Sequence, residues 1–182
     1  MRGSARGGVR ITGPKRNVGR VQGGGHVSSA TLSGARVVGV VSAVLFFSPI
    51  PLSLAFPTAF LYPPYNVVYE RMLGALLLSF ALAMLLSLRD PVRNAGVYAV
   101  IGLATGSLTA AIVYALVIEG GDPLHWFVQV PILSAVSITL VVTYTRLRRP
   151  HPIVVRIVAA AVLLLPLALY LYDAAYRAFV AR

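Results

Sequence analysis

The chain has no cysteine and very few groups that could perform chemistry, with five acidic residues and three histidines in all. The absence of cysteine excludes disulfides, thiolate metal sites, cysteine nucleophiles and thiolate-bound iron–sulfur clusters. His26, His125 and His151 are expected at different depths, so no two of them can ligate a haem axially. The sequence also lacks H-E-x-x-H, P-loop and G-x-S-x-G motifs. We therefore expect no metal, no cofactor and no catalytic residue, which disfavours an enzyme.

Charged residues are scarce and apolar residues are abundant. Hydrophobic residues make up 58% of the chain and charged residues 12%, which leaves too little polar surface for a soluble domain. Five apolar stretches are long enough to cross a bilayer as helices. They cover residues 36–56, 69–88, 95–118, 126–145 and 153–172. The sequence thus predicts an all-α fold, a polytopic transmembrane helix bundle of about five spans.

The placement of the arginines predicts the topology of this bundle. A net charge of +11 would suggest nucleic acid in a soluble protein, but here the arginines cluster in alternate loops. One face receives Arg20, Arg36, Arg89, Arg93, Arg146, Arg148, Arg149 and Arg156. The other face receives three arginines and the acidic loop 119–122. The positive-inside rule then predicts a multi-pass protein of the cell membrane with its N-terminus inside and its C-terminus outside. Its expected partners are membrane lipids, and no nucleic acid is expected.

Residues 1–33 differ in composition from the predicted transmembrane domain, 34–182. They mix Gly, Arg, Ser and Pro without an apolar period, which is typical of disorder. Six of the sixteen basic residues lie there, and each could attract anionic lipid by roughly 1 kcal/mol. The alternative is a start codon assigned too early, because Gly23 to Gly25 before Val27 match a translated ribosome-binding site followed by GTG. Residues 1–26 would then not be translated.

The first span has a second interpretation as a cleavable signal. A basic flank, a short apolar run, the breaker Pro49-Ile50-Pro51 and the small residues Ser53 and Ala55 match that pattern. Against cleavage, apolar character continues through residues 56–61 instead of giving way to a polar mature start. We therefore favour a retained span bent by Pro49 and Pro51.

Small residues in the third span predict close helix packing. Gly102 and Gly106 form a G-x-x-x-G pattern, which lets a second backbone approach closely. Packing within the chain is favoured over a dimer interface. In the fourth span, Gln129 precedes Pro131 at an expected bend. Such bends line cavities in some transporters, but most are plain packing kinks.

Ionisable residues near hydrocarbon need a partner or a role, and several share the outer face. The candidate outer polar cluster consists of Glu70, Arg71, Glu119, Asp122, His125, Asp173 and Arg177. Asp173 and Arg177 have the i, i+4 spacing of a helical ion pair. If the cluster is buried, Glu70 and Arg71 must meet that pair, which requires contact between the second and fifth spans. The alternative is a set of separate interfacial side chains, each extended so that its charged group stays in water.

Two adjoining segments resemble a known family. The stretch Tyr69-Glu70-Arg71-Met72-Leu73-Gly74, followed by Leu88-Arg89-Asp90-Pro91-Val92-Arg93-Asn94, resembles the small four-span bacterial membrane proteins grouped as DoxX-like. In that family an Arg-x-x-Gly opens one helix and a basic, proline-containing turn closes it. The resemblance covers the second and third spans. It implies a compact antiparallel bundle without an assigned catalytic residue, and the fifth span departs from its pattern.

Three functional hypotheses follow from this sequence. The leading one is an accessory or structural membrane component, alone, as a homo-oligomer or in a larger membrane complex. The alternative is a small-molecule transporter or binder that uses the outer polar cluster. A quinone- or lipid-modifying enzyme has the least support. A wet cavity reaching mid-membrane between the second, fourth and fifth spans would favour transport.

Overall fold

The computed structural model describes residues 27–56, 67–120 and 125–180, and the regular structure in these residues is entirely helical. The α-helices are α1 Ser29–Phe47, α2 Pro49–Ala55, α3 Val67–Ser87, α4 Ala95–Ala115, α5 Val130–Arg148 and α6 Pro152–Val180. A π-helical turn, Leu116–Gly120, extends α4, and a second one, His125–Gln129, precedes α5. The predicted all-α fold is confirmed.

Within the described ranges, four segments are long and apolar enough to cross a membrane by length and composition. They are Ser29–Ala55, Ala95–Ile118, Phe127–Arg148 and Pro152–Val180. The predicted second span corresponds to α3, whose continuous apolar part among the described residues is Arg71–Ser87. The whole of α3 has 21 residues, which at 1.5 Å per residue gives about 30 Å, the thickness of the hydrocarbon layer. The chain is a helical membrane protein.

Helix α1 begins earlier than the expected domain boundary at residue 34. Ser28 is its N-cap, and the Ser28 side chain accepts a hydrogen bond from the Thr31 N–H at 3.2 Å. A serine in this role satisfies one of the free N–H groups of the first turn. Val27, just before the cap, packs against the hydrophobic core. Residues 27–33 are therefore ordered, contrary to the prediction, and the predictions about residues 1–26 lie outside the described residues.

Pro49 and Pro51 interrupt the first span without ending it. Helix α1 stops at Phe47, and Pro49 takes the first position of α2, where a missing N–H costs nothing. Hydrogen bonds continue across the break, from the Ser48 N–H to the Val44 carbonyl at 2.9 Å and from the Leu52 N–H to the Ser48 carbonyl at 3.3 Å. The helical path runs on to Ala55, as a proline-bent span requires.

Helices α1, α3, α4 and α5 form an antiparallel four-helix bundle, and α6 lies outside it. Phe46 of α1 meets Phe80 of α3 edge to face, with ring centroids 5.5 Å apart. The largest interface joins α4 and α5, while α1 also contacts α5 and α3 also contacts α4. Helix α6 packs mainly against α4, and none of its described residues is fully buried.

Helix directions bring the predicted inner arginines to one end of the bundle. We call this the basic end: it contains the start of α1, the α3–α4 turn and the α5–α6 turn. Its arginines are Arg36, Arg89, Arg93, Arg146, Arg148, Arg149 and Arg156. Helix α6 runs away from it, so its last residues lie at the opposite end. The two ends of the described chain therefore lie at different ends of the bundle, as an odd number of spans demands.

The buried core lies nearer the basic end than the opposite end. In α3 the buried residues begin at Ala81, in α5 they begin at Val136, and in α4 they end at Thr109. The largest fully buried side chains include Tyr98, Met84 and Leu140. Between these positions and the opposite end, the described residues of α3, α4 and α5 include no buried side chain. The bundle is thus tight at the basic end and more open at the other.

Candidate functional site

A polar contact joins α4 and α6 near the end of the bundle opposite the arginines. These two helices run parallel, because Gly106 lies beside Val162 and, farther along both helices, Tyr114 lies beside Asp173. The Tyr114 hydroxyl donates a hydrogen bond to the Asp173 carboxylate. Both residues are half-buried. An acid at the membrane boundary therefore has a partner on the neighbouring helix, as the cost of an unpaired one requires.

A small cavity of about 240 Å³ surrounds this contact. Its lining residues are Tyr114, Ile118, Tyr170, Asp173, Ala174 and Arg177. We call it the outer cavity. One carboxylate, one guanidinium and two phenols on apolar walls give it no net formal charge. Chemically, it suits a small zwitterion or an amine with an apolar part.

The predicted outer polar cluster is only partly assembled among the described side chains. Asp173 and Arg177 line the outer cavity together, whereas Arg71 is exposed on α3. The described residues of α3 and α6 form no extended interface, because α6 packs mainly on α4. The contact between the second and fifth spans, expected if the cluster is buried, stays a prediction.

The side chains of the other members of that cluster lie outside the described residues. The backbone of Glu70, Glu119 and His125 is helical, but their side chains lie outside the described part of the structure. Asp122 lies wholly outside it. Their joint role with Asp173 and Arg177 stays a prediction. Among the described residues, no group of three or more His, Asp and Glu side chains could hold a metal ion.

Gly102 and Gly106 lie in the interface between α4 and α5. A Cβ added to Gly102 would lie 3.1 Å from the Leu140 Cβ and 3.2 Å from the Val141 backbone nitrogen. A Cβ on Gly106 would lie 2.8 Å from the Ser137 hydroxyl oxygen. That hydroxyl donates a hydrogen bond to the Gly102 carbonyl at 2.7 Å. Small residues thus bring α5 close enough for a side chain to reach the backbone of α4, a contact that the sequence analysis missed.

Tyr98, near the start of α4, belongs to the buried core of the bundle. It is 0% exposed, and its hydroxyl donates a hydrogen bond to the Ala35 carbonyl of α1 at 3.0 Å. Gly39, also on α1, leaves room for this side chain, because a Cβ there would lie 3.1 Å from the Tyr98 hydroxyl oxygen. A tyrosine at a span end turns inward when the facing helix offers small residues and an acceptor.

A second cavity, at the basic end, was not predicted from the sequence. It measures about 530 Å³ and is lined by Leu86, Arg89, Asp90, Arg93 and Asn94. The Asp90 side chain accepts a hydrogen bond from the Arg93 N–H at 3.0 Å. The sequence signal was the pair of arginines four residues apart around a proline turn. We call it the basic-end cavity.

Comparisons with known proteins do not extend this description. No family model, curated protein or solved structure matches this chain. The resemblance of two segments to DoxX-like proteins therefore rests on their residues alone and stays a prediction. Any functional assignment has to come from the geometry of the bundle.

Proposed function

We propose that this protein is a multi-pass component of the cell membrane with an accessory or structural role. The observation that carries the proposal is the exposure of α6, a helix of 29 apolar-rich residues none of which is fully buried within the chain. A helix that a bundle does not need for its own core is available to neighbours in the membrane. The expected neighbours are a second copy of the chain or another membrane protein.

One face of α6 is used within the chain and the other is not. Half-buried residues recur at spacings of three and four along the face that packs on α4: Val155, Val158, Val162, Leu165, Leu169 and Asp173. The remaining faces carry exposed apolar residues such as Leu163, 79% exposed, and Phe179, 78% exposed. Helix association in lipid depends on such surfaces, because packing and not hydrophobicity drives it.

Packing at the centre of the bundle also supports a structural role over transport. Neither of the two described cavities is lined by a core residue. Between the two cavities, Gly102 packs against Leu140 and Val141. The Thr105 and Thr109 hydroxyls donate hydrogen bonds to carbonyls of their own helix. These two hydroxyls are thus used within their own helix, which is typical of threonines in membrane helices.

Site-specific photocrosslinking in native membranes tests this proposal. A photoreactive residue at Leu163 or Leu164, both exposed on α6, should give a discrete protein adduct that mass spectrometry identifies. The matched control is Val162, next in the chain but facing α4, which should react within the chain. Adducts to lipid alone from every exposed position of α6 would contradict the proposal.

A second candidate function is supported by the outer cavity. Its carboxylate, guanidinium and tyrosines suit a small zwitterion, which would make the protein a binder or transporter. A panel of zwitterions should then raise the Tm of the purified protein, since a ligand stabilises the form that it binds. The increase should disappear in Asp173→Asn and persist in Arg71→Gln. Equal responses of these two variants would remove this candidate.

A further inference from the structure

The turn between α3 and α4 carries two arginines, Arg89 and Arg93, on a backbone restricted by hydrogen bonds. Pro91, at its centre, is buried. The Asn94 N–H donates to the Asp90 carbonyl at 3.0 Å, and the Arg93 N–H donates to the Asp90 side chain at 3.0 Å. A buried proline and two hydrogen bonds on one residue restrict the backbone of the turn. Arg89 and Arg93 are thereby presented on a preorganised turn.

These two arginines line the basic-end cavity and outnumber its one acid. The cavity, of about 530 Å³, also includes Leu86, Asp90 and Asn94. The lining contains two guanidinium groups and one carboxylate, so its net formal charge is +1. Asn94 is the N-cap of α4, and its side chain makes no capping hydrogen bond. The positive end of the α4 dipole therefore adds to the field of the arginines.

The position of this cavity points to the membrane surface. Helix α3 ends at Ser87, directly before the turn, so the arginines lie where the apolar span gives way to polar chain. Leu86, 77% exposed, lies on the apolar side of the cavity. A guanidinium group binds phosphate through a planar pair of N–H groups. Basic pockets between helices at this level are suited to lipid headgroups.

We propose that the basic-end cavity binds a phosphate group through Arg89 and Arg93. A headgroup of an anionic phospholipid and a free phosphate ion both carry this chemistry. Leu86 favours the lipid, because an acyl chain can lie along the exposed apolar side of α3 while its phosphate contacts the turn. Bound there, the lipid would link α3 to α4, whose direct contact is one of the smaller interfaces of the bundle.

The test compares anionic lipid with free phosphate on the full chain. The protein is placed in phosphatidylcholine nanodiscs, and Tm is measured as phosphatidylglycerol or, separately, inorganic phosphate is added. Phosphatidylglycerol should raise Tm in a saturable manner. Arg89→Gln/Arg93→Gln should weaken its apparent affinity by roughly tenfold or more, because two charge-assisted contacts are lost. An equal, saturable effect of inorganic phosphate would assign the site to the free ion and overturn the lipid preference.

A matched pair of arginines separates a local site from the general surface charge. Arg148 and Arg156 lie at the same end, are exposed and do not line the cavity. Arg148→Gln/Arg156→Gln should keep the response to phosphatidylglycerol. Equal losses in the two double variants would mean a diffuse surface potential and would overturn the proposal.

A conservative pair keeps the test decisive if Arg89→Gln/Arg93→Gln fails to fold. Arg89→Lys/Arg93→Lys retains both charges but loses the planar fork, so its affinity should fall several-fold. Arg148→Lys/Arg156→Lys should be unchanged. An unchanged affinity of the Arg89 and Arg93 lysine variant would exclude the proposed guanidinium contacts.

Discussion

The Tyr98 hydroxyl of α4 donates a hydrogen bond at 3.0 Å to the Ala35 carbonyl of α1, 63 positions earlier in the chain. Tyr98 is fully buried, so this bond is formed out of contact with solvent or headgroups. It joins the first span to the helix that has the largest interface with α5 and also supports α6. The buried core near the basic end thus depends on a long-range polar contact as well as on apolar packing.

Removing the Tyr98 hydroxyl should weaken the bundle moderately. We expect Tyr98→Phe to lower the free energy of unfolding by about 0.5–1.5 kcal/mol, the range for hydrogen bonds between helices in membranes. Ala35 keeps a carbonyl that its own helix can use, which limits the cost. Denaturant titration in mixed micelles measures the change. Tyr176→Phe, at a residue 60% exposed on α6, is the control and should change stability little; equal effects would contradict a specific bond.

Adding one methyl group at Gly102 should destabilise the interface between α4 and α5. The new Cβ would lie 3.2 Å from the Val141 backbone nitrogen, which cannot move as a flexible side chain would. Overpacking of this kind costs about 1–3 kcal/mol. Gly96 on the same helix has nothing within 4 Å of an added Cβ, so Gly96→Ala should be neutral or stabilising. The same unfolding titration compares them, and a loss at Gly96 as large as at Gly102 would refute the packing argument.

The sequence predicts the apolar helices better than their arrangement. Span length depends on local composition, which is why four predicted spans match long apolar helices. The start of α1 was missed because the N-cap Ser28 is a single polar residue in a segment that otherwise lacks pattern. The burial of Tyr98 was missed because it depends on Ala35 and Gly39 in another helix.

The candidate sites show the same division. Asp173 and Arg177, four residues apart, line one cavity, and their ion pair stays a prediction. Tyr114 joined them only because α4 and α6 are parallel neighbours. Neither loop length nor loop charge specifies which helix α6 packs against, and in the described residues α6 packs mainly on α4. The order of helices around a bundle depends on how their side-chain ridges and grooves fit together, and a single sequence does not reveal that fit.

Arg149 ends α5 in a backbone conformation that suits glycine. It has φ 47° and ψ 60°, and its N–H donates to the Thr145 carbonyl at 2.9 Å. A residue with a Cβ in this left-handed region costs about 1–2 kcal/mol. Glycine removes that cost but loses more conformational entropy on folding, which offsets part of the gain. Arg149→Gly should therefore raise stability by about 0.5–1 kcal/mol. Arg149→Gln removes the same charge without this relief, and a gain as large in that variant would assign the effect to charge.

The arginines at the basic end predict the orientation of the whole protein. Seven of the described arginines lie at the basic end. The other two described arginines, Arg71 and Arg177, belong to segments at the opposite end. The positive-inside rule then predicts an N-terminus inside the cell and a C-terminus outside. Reporters that are active on one side of the membrane, fused to each terminus in turn, measure this. Two termini on the same side would eliminate the five-span arrangement.

Tyr114 and Asp173 should be energetically coupled, whereas Arg71 and Asp173 should not. The Tyr114 hydroxyl donates to the Asp173 carboxylate, and the helix that carries Arg71 has no extended interface with α6 in the described residues. Tyr114→Phe and Asp173→Asn each alter this contact, so the double variant should lose less stability than the sum of the single losses.

The expected coupling is about 0.5–1.5 kcal/mol, as for other residues that share a hydrogen bond. The cycle is measured by unfolding in mixed micelles, with Arg71→Gln and Asp173→Asn as the matched cycle at sites that should be independent. That second cycle should be additive to within about 0.5 kcal/mol. If Arg71 coupled to Asp173 as strongly as Tyr114 does, α3 and α6 would have to meet in the membrane. The outer cavity would then be part of a larger charged site, and transport would regain its strongest argument.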